Sequence, residues 1–163
     1  MAYDKQGYLD TLDMAVQKLR MSKSAVVISH GGASLMLGLR NETNDIDVQL
    51  APGTFEALRS SQEVKTFSAC GWSPAVDGFT FENVDFFKLP HGSILYPFEY
   101  KDKTNGYDVT SSMQLLLDRI KLGRTKDLDD ILRLKSMWIY LPCHYKDRLS
   151  ELLDKAGIID VKS

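Results

Sequence analysis

The spacing of apolar residues predicts helices and short strands that alternate over the first third of the chain. Residues 5–21 carry apolar side chains at helical intervals on one face: Tyr8, Leu9, Leu12, Ala15, Val16 and Leu19. Residues 25–29, AVVIS, form a short apolar run typical of a buried strand. Residues 45–50, DIDVQL, alternate polar and apolar as a half-buried strand does. Between the two strands, a tight turn at His30-Gly31-Gly32 leads into a helix over ASLMLGLR.

Turn residues divide the next part of the chain. Pro52-Gly53 ends the second strand, and Thr54 is the predicted N-cap of a helix over FEALRSSQ. Asp77-Gly78 and Asn105-Gly106 are predicted hairpin turns. Residues 79–89 and 94–100 have strand-like patterns, and Pro97 favours an edge position for the second of them.

From residue 111 onward the apolar period becomes helical. Ser111 and Gln114 form a possible capping box for the first of three helices. The second is predicted from Thr125 to about Trp138, and Pro142 opens the third. These patterns predict the α+β class, with a small mixed sheet flanked by helices and a C-terminal helical segment. We expect residues 1–105 to form an α/β core and residues 106–163 to pack on it as one compact unit.

Composition and charge narrow the classes of function. The 163 residues are 44% hydrophobic and 26% charged, as in a globular domain, and the net charge of −2 excludes a uniformly basic nucleic-acid coat. Residues 101–148 nevertheless hold ten Lys or Arg against seven acids, which leaves room for a local anionic partner. Two isolated cysteines, an N-terminus unlike a secretory signal and the absence of an 18-residue apolar run predict a cytoplasmic protein with no membrane partner.

Gly31-Gly32 is the first candidate for chemistry. Glycine allows a tight turn and the close approach of a ligand to the backbone. The start of a helix presents unpaired N–H groups that suit a phosphate, and Ser34 could add a hydroxyl donor. The alternative is a purely structural turn between a strand and a helix.

Asp45 and Asp47 are the second candidate. Two residues apart on a strand, their side chains point to one face and repel each other unless a cation lies between them. Hard oxygen ligands suit Mg²⁺ or Mn²⁺, and the alternative is a solvated strand end. Twelve residues separate Gly32 from Asp45, enough for a short helix and a turn. We therefore expect both motifs at the same edge of the sheet.

Together these residues resemble a known family. GGASLMLGLRNETNDIDVQL, residues 31–50, is similar to the signature of the nucleotidyltransferase superfamily with the polymerase-beta-like core, especially the AbiE-type toxin nucleotidyltransferases. Arg40, Glu42, Thr43 and Asn44 give a near version of the Arg-x-Thr-x-Asp-x-Asp pattern of those toxins. LLLDRIKLGRTKDLDDILRL, residues 115–134, resembles a second segment of the same toxins.

The resemblance implies further site residues. A third carboxylate is expected on a later strand, where Asp85 is the candidate and Glu82 the substitute. Lys121 and Asp127 match positions that the toxins use at their site. Arg124 and Lys126 could neutralise a triphosphate, although all four residues also fit a solvated helix end.

The implied activity is transfer of a nucleoside monophosphate from an NTP to an acceptor hydroxyl, such as one on tRNA or a protein. Gly31, Gly32 and Ser34 would hold the β- and γ-phosphates. Asp45, Asp47 and Asp85 would bind Mg²⁺ or Mn²⁺, and Asp85 could instead take the acceptor proton. Two alternatives stay open: an inactive nucleotidyltransferase-like module that binds nucleotide, RNA or protein, and a structural protein without a site. The pattern favours structural roles for His30 and His144 and does not indicate an oligomeric state.

Overall fold

The computed structural model describes residues 2–61, 64–69, 76–88 and 102–158. Within them the fold is α+β with a mixed β-sheet, so the predicted class is confirmed. The chain divides into two compact units, residues 1–111 and 112–163. The strand predicted over residues 94–100 lies outside the described residues.

The first unit contains the sheet and three helices. The helices are α1 (Lys5–Lys18), α2 (His30–Met36) and α3 (Pro52–Arg59), and a 3-10 turn spans Lys23–Ala25. The strands are β1 (Val26–Ile28), β2 (Asp47–Leu50), β3 (Lys65–Ala69), β4 (Val76–Phe81), β5 (Val84–Lys88), β6 (Asp102–Thr104) and β7 (Tyr107–Val109).

The seven strands lie in the order β3-β4-β5-β2-β1-β7-β6. β2 pairs with β5, and β1 with β7, in parallel, while the other neighbours are antiparallel. The central strand β2 therefore has the end of β1 on one side and the start of β5 on the other. This arrangement brings three separate chain segments together at one end of the sheet.

The two faces of the sheet differ in burial. Val48, Phe79 and Phe86 are fully buried on one face, where Phe55 of α3 packs against Phe79 with 5.5 Å between ring centroids. The alternate residues of β2 and β5, from Asp47 and Asp85 onward, are half-buried on the other face.

A polar cluster ties α1 to the β6–β7 hairpin. Asp13 accepts hydrogen bonds from the Tyr107 hydroxyl at 2.5 Å and the Asn105 amide at 2.9 Å, and Lys23 lies 3.3 Å away. Burial alone would raise the pKa of Asp13, but these partners outweigh it and hold that pKa below its ordinary value. Asn105-Gly106 forms the predicted hairpin turn, with positive φ at both residues.

The predicted turn at Asp77-Gly78 is wrong, because both residues lie within β4. A Cβ on Gly78 would lie 2.6 Å from the Phe67 ring, so glycine serves a close approach of this ring rather than a turn. The actual hairpin turn is Glu82-Asn83, where both residues take positive φ, and it interrupts the single strand predicted over residues 79–89.

Two predicted helix starts are also wrong. α2 begins at His30, so the glycine pair lies in its first turn rather than in a turn before it. α3 begins at Pro52, with Ala51 and not Thr54 at the N-cap, because proline at the first helical position already has the helical φ.

The second unit is helical. Its helices are α4 (Ser112–Leu122), α5 (Leu128–Arg133) and α6 (Cys143–Lys155), with 3-10 segments at Thr125–Asp127 and Lys135–Tyr140. The single helix predicted from Thr125 to about Trp138 is therefore three short segments, while the helix after Pro142 is confirmed. Cys143 is an exposed free thiol, and Cys70 lies outside the described residues. Among the helices described, none has both the length and the apolar character needed to cross a membrane.

Candidate functional site

Three chain segments meet where β1 ends and β2 and β5 begin. The register pairs Ile28 with Val48, which places Ser29 beside Asp47, and the Ser29 hydroxyl donates to the Asp47 carbonyl at 3.4 Å. On its other side Asp47 is in direct register with Asp85 of β5. Two aspartates from distant parts of the sequence thus become neighbours on one face.

Asp85, the residue predicted as a third carboxylate, lies beside Asp47 in the neighbouring strand. Asp85 accepts a 2.6 Å hydrogen bond from the Thr80 hydroxyl of β4, which orients one carboxylate oxygen. The substitute candidate Glu82 lies in the exposed turn instead, where it pairs with Lys18 at 3.2 Å. The register with Asp47 therefore favours Asp85.

Asp45 precedes β2 and is exposed, whereas Asp47 and Asp85 are half-buried. An open depression of about 340 Å³ lies beside these residues. Its lining combines carboxylates, amides and a hydroxyl: Tyr3, Asn44, Asp45, Ile46, Thr80, Asn83 and Asp85. The depression gives solvent and small molecules access to both Asp45 and Asp85.

Asp45, Asp47 and Asp85 are the predicted metal ligands. Within the described parts of the chain, no three His, Cys, Asp or Glu side chains are gathered closely enough to hold an ion together. Two carboxylates from adjacent strands still fit Mg²⁺, which commonly takes one or two protein carboxylates and completes its shell with water and substrate phosphates. The donor chemistry of Asp47 and Asp85 therefore suits this ion.

The glycine pair lies at the same end of the sheet. A Cβ on Gly31 would lie 2.5 Å from the Thr43 hydroxyl, which itself donates to the Asp45 carbonyl at 3.4 Å. The Arg40 guanidinium lies 3.9 Å from that same Cβ position. Gly31 is thus in contact with the segment that leads into the aspartates.

Gly32 and Ser34 face inward. Both are buried, and a Cβ on Gly32 would overlap the ring and hydroxyl of Tyr8. The need for glycine at this position is therefore explained by packing against α1. The buried Ser34 hydroxyl does not reach the surface where a phosphate would bind, so burial disfavours its predicted contact with a nucleotide.

Sequence reasoning missed two residues at this corner. His30 takes a φ of +54°, a conformation uncommon for non-glycine residues, and its ring lies 6.5 Å from that of Phe87 on the half-buried face. Arg40 appeared only as part of a motif, yet it adds a positive charge beside Gly31. The strained backbone at His30 depends on tertiary structure and leaves no signal in the local pattern.

The Tyr8 hydroxyl is buried beneath the corner. It has no hydrogen-bond partner among the described residues. Burial raises the pKa of Tyr8 well above its ordinary value, and the nearby Asp47 and Tyr107 raise it further. Tyr8 thus links α1 to the first turn of α2 and lies within electrostatic range of Asp47.

The remaining candidates, Lys121, Arg124, Lys126 and Asp127, belong to the second unit. Asp127 is fully buried and accepts from Arg124 at 2.6 and 3.1 Å, and the buried Arg119 lies 3.4 Å from it. This ion-pair cluster accounts for Asp127 and Arg124 without a ligand. Lys121 and Lys126 are exposed. Nucleotide contacts of all four residues stay predictions.

Neither the models of known protein families nor the curated proteins include a match to this chain. The similarity to nucleotidyltransferases therefore stays a prediction from the quoted motifs.

Proposed function

We propose that this protein is a Mg²⁺-dependent nucleotidyltransferase that moves a nucleoside monophosphate from an NTP to an acceptor hydroxyl. The observation that carries the proposal is the register of Asp47 with Asp85 on adjacent parallel strands, beside the corner that contains Gly31. Like charges on neighbouring strands destabilise a sheet unless a cation offsets them. Two carboxylates side by side on neighbouring strands offer hard oxygen ligands of the kind that Mg²⁺ takes.

Asp47 and Asp85 would hold the metal, with Asp45 beside them on the same side of β2. Bound Mg²⁺ would neutralise charge on the phosphates and help the pyrophosphate to leave. In the transfer, the acceptor oxygen bonds to the α-phosphorus and the bond from that phosphorus to the bridging oxygen breaks. The hydroxyl proton passes to a carboxylate. Asp85 suits that role because Thr80 orients one of its oxygens and the depression exposes it.

Arg40 and Gly31 would meet the anionic phosphates. The Arg40 guanidinium lies beside the Cα of Gly31, and a planar guanidinium can donate two hydrogen bonds to one phosphate. Glycine at this position allows Thr43 to pack against the backbone of α2, where a Cβ would otherwise lie. Gly32 and Ser34 would then hold α2 in position by packing in the interior, and they would not contact the nucleotide.

The test is label transfer from each α-labelled NTP in the presence of Mg²⁺ and a total cell extract. We expect label in an RNA or a protein fraction with the wild-type protein. Asp47→Asn should remove it, while Asp154→Asn, at an exposed position of α6, should retain it as the matched control. Absence of label in every fraction with the wild type, or equal labelling by Asp47→Asn, would overturn the proposal.

A non-catalytic nucleotide-binding module is the second candidate. It is favoured by the lack, within the described ranges, of three carboxylates gathered around one point. Such a module would bind an NTP, an RNA or a protein partner without turnover. A Mg²⁺-NTP thermal shift that depends on Asp47 but is accompanied by no label transfer would select this second function.

A further inference from the structure

The half-buried face of the sheet carries aromatic rings directly beside the aspartates. Phe87 is two residues beyond Asp85 on β5, so its side chain lies on the same face about 7 Å further along the strand. Its ring centroid lies 5.4 Å from that of Phe67 and 6.5 Å from that of His30, both in edge-on arrangements. An apolar surface thus adjoins a charged one.

A polar side chain borders Phe87. The parallel register pairs Gln49 of β2 with Phe87 just as it pairs Asp47 with Asp85. Gln49 and Phe87 are both half-buried on this face. The Gln49 carboxamide offers an N–H donor and a carbonyl acceptor in one plane. A planar ligand that packs against Phe87 would therefore have its edge within reach of an amide.

His30 lies between the end of β1 and Phe87. It follows the end of β1, next to the position paired with Asp47, yet its ring reaches Phe87. The positive φ at His30 places the side chain in this way at a cost in backbone energy. Strain of this kind is common where a side chain must be presented to a ligand.

We propose that Phe87, Gln49 and His30 form a subsite for a purine base, with adenine preferred. The inference rests on the proposed function, since Asp47 and Asp85 would hold the phosphates of the same nucleotide through Mg²⁺. Phe87 lies two residues beyond Asp85 along β5, about 7 Å away on the same face, and a ribose can bridge this distance. The ring of Phe87 would pack against one face of the base, and the His30 ring, inclined at 69° to it, would meet the edge of the base.

Gln49 supplies the selectivity. Adenine presents a donor at N6 next to an acceptor at N7, which a carboxamide pairs with through two hydrogen bonds. Guanine presents two acceptors at the corresponding positions, so the same carboxamide can satisfy only one of them. The aromatic contact is available to any base, whereas the amide distinguishes adenine from guanine.

The test is calorimetric binding of AMP and GMP to the full chain in the presence of Mg²⁺; neither monophosphate can act as an NMP donor, so turnover does not contribute. We expect AMP to bind at least about tenfold more tightly than GMP. Phe87→Leu should weaken both ligands at least about fivefold, while Phe87→Tyr retains binding because the ring is kept. Gln49→Glu should reduce the preference for AMP, because a carboxylate cannot donate to adenine N7 but can accept from both N–H groups on the Watson–Crick edge of guanine.

Gln17→Glu is the matched control for Gln49→Glu. It makes the same change of charge at an exposed position of α1 and should leave both affinities unchanged. Thermal melting of each variant separates loss of binding from loss of folding. If Phe87→Leu does not fold, the comparison of Gln49→Glu with Gln17→Glu decides the question alone.

The inference and the proposed function can fail separately. AMP binding that depends on Phe87 and Gln49 supports the base subsite even if no label is ever transferred. Equal binding of AMP and GMP by the wild type, or an unchanged preference in Gln49→Glu, overturns the subsite even if the transferase is active.

Discussion

Thr80 on β4 donates a 2.6 Å hydrogen bond to Asp85 on β5, which fixes one carboxylate oxygen at the end of the sheet. Asp47, on the other neighbouring strand β2, lies beside Asp85 on the side away from Thr80. Asp85 is therefore held between a neutral donor and a like charge.

We expect Mg²⁺ to stabilise the wild-type protein against heat, and Asp85→Asn should remove this stabilisation. In metal-free buffer, the variant should be as stable as the wild type or more stable by up to about 1 kcal/mol, because one of two adjacent like charges is lost. Melting curves with and without Mg²⁺ measure both effects. Asp154→Asn serves as the control, and a full Mg²⁺ response in Asp85→Asn would contradict the assignment.

Gly32→Ala should destabilise the fold by about 1–3 kcal/mol, because the new methyl group overlaps the buried Tyr8 ring. Gly53 in α3 is the matched control, since a Cβ there meets nothing within 4 Å. Gly53→Ala should leave the stability equal or increase it by up to about 1 kcal/mol. Urea unfolding of both variants is the measurement, and equal effects would show that the close packing is not decisive.

The fold should lose stability in alkali. Burial raises the pKa of Tyr107, and a hydrogen bond to Asp13 raises it further; burial also raises the pKa of Tyr8. The unfolded chain ionises these tyrosines near pH 10, before the folded chain does. Their contribution to the free energy of unfolding is therefore complete below about pH 10 and decreases as the pH rises above it.

Tyr107→Phe should flatten this alkaline loss, although it also removes the hydrogen bond to Asp13 and lowers the stability at neutral pH. Tyr140→Phe, at an exposed position, is the control and should leave the profile unchanged. The measurement is the free energy of unfolding by denaturant at pH values from about 8 to about 12, a range that brackets the ordinary tyrosine pKa. Identical profiles for all three proteins would refute the prediction.

Asp127→Ala should destabilise the second unit by about 3–5 kcal/mol, because it leaves the buried Arg119 without one of its two carboxylate partners. Asp129→Ala, at an exposed neighbouring position, should change the stability by less than about 0.5 kcal/mol. Thermal unfolding compares the two variants. A well-folded Asp127→Ala protein that has lost NTP turnover would restore the catalytic role predicted for this residue.

Local pattern was sufficient for much of the fold. The alternation over residues 45–50 predicts β2, which forms from Asp47 onward, and correctly places Asp47 on the half-buried side opposite the buried Val48. The apolar stripe of α1 and the Asn105-Gly106 turn were also predicted correctly. In each case the residues that determine the element lie within it or beside it.

Other features depend on distant residues. Gly78 resembles a turn glycine in sequence, but the ring of Phe67 on the next strand explains its presence within β4. Asp85 was singled out by resemblance alone, since no local rule pairs β5 with β2. The ring of His30 reaches Phe87 through a positive φ that non-glycine residues seldom adopt. The local sequence does not indicate this conformation, and for that reason it favoured a purely structural role for His30.

The two-residue turn at Glu82-Asn83 also constrains how this gene can change. The turn sets which residue of β5 faces Thr80. Because side chains alternate across a strand, one codon inserted or deleted here would exchange Asp85 with a phenylalanine or valine neighbour and turn the acid toward the apolar interior. The length of this short connection therefore decides the position of the carboxylate as much as the identity of residue 85 does.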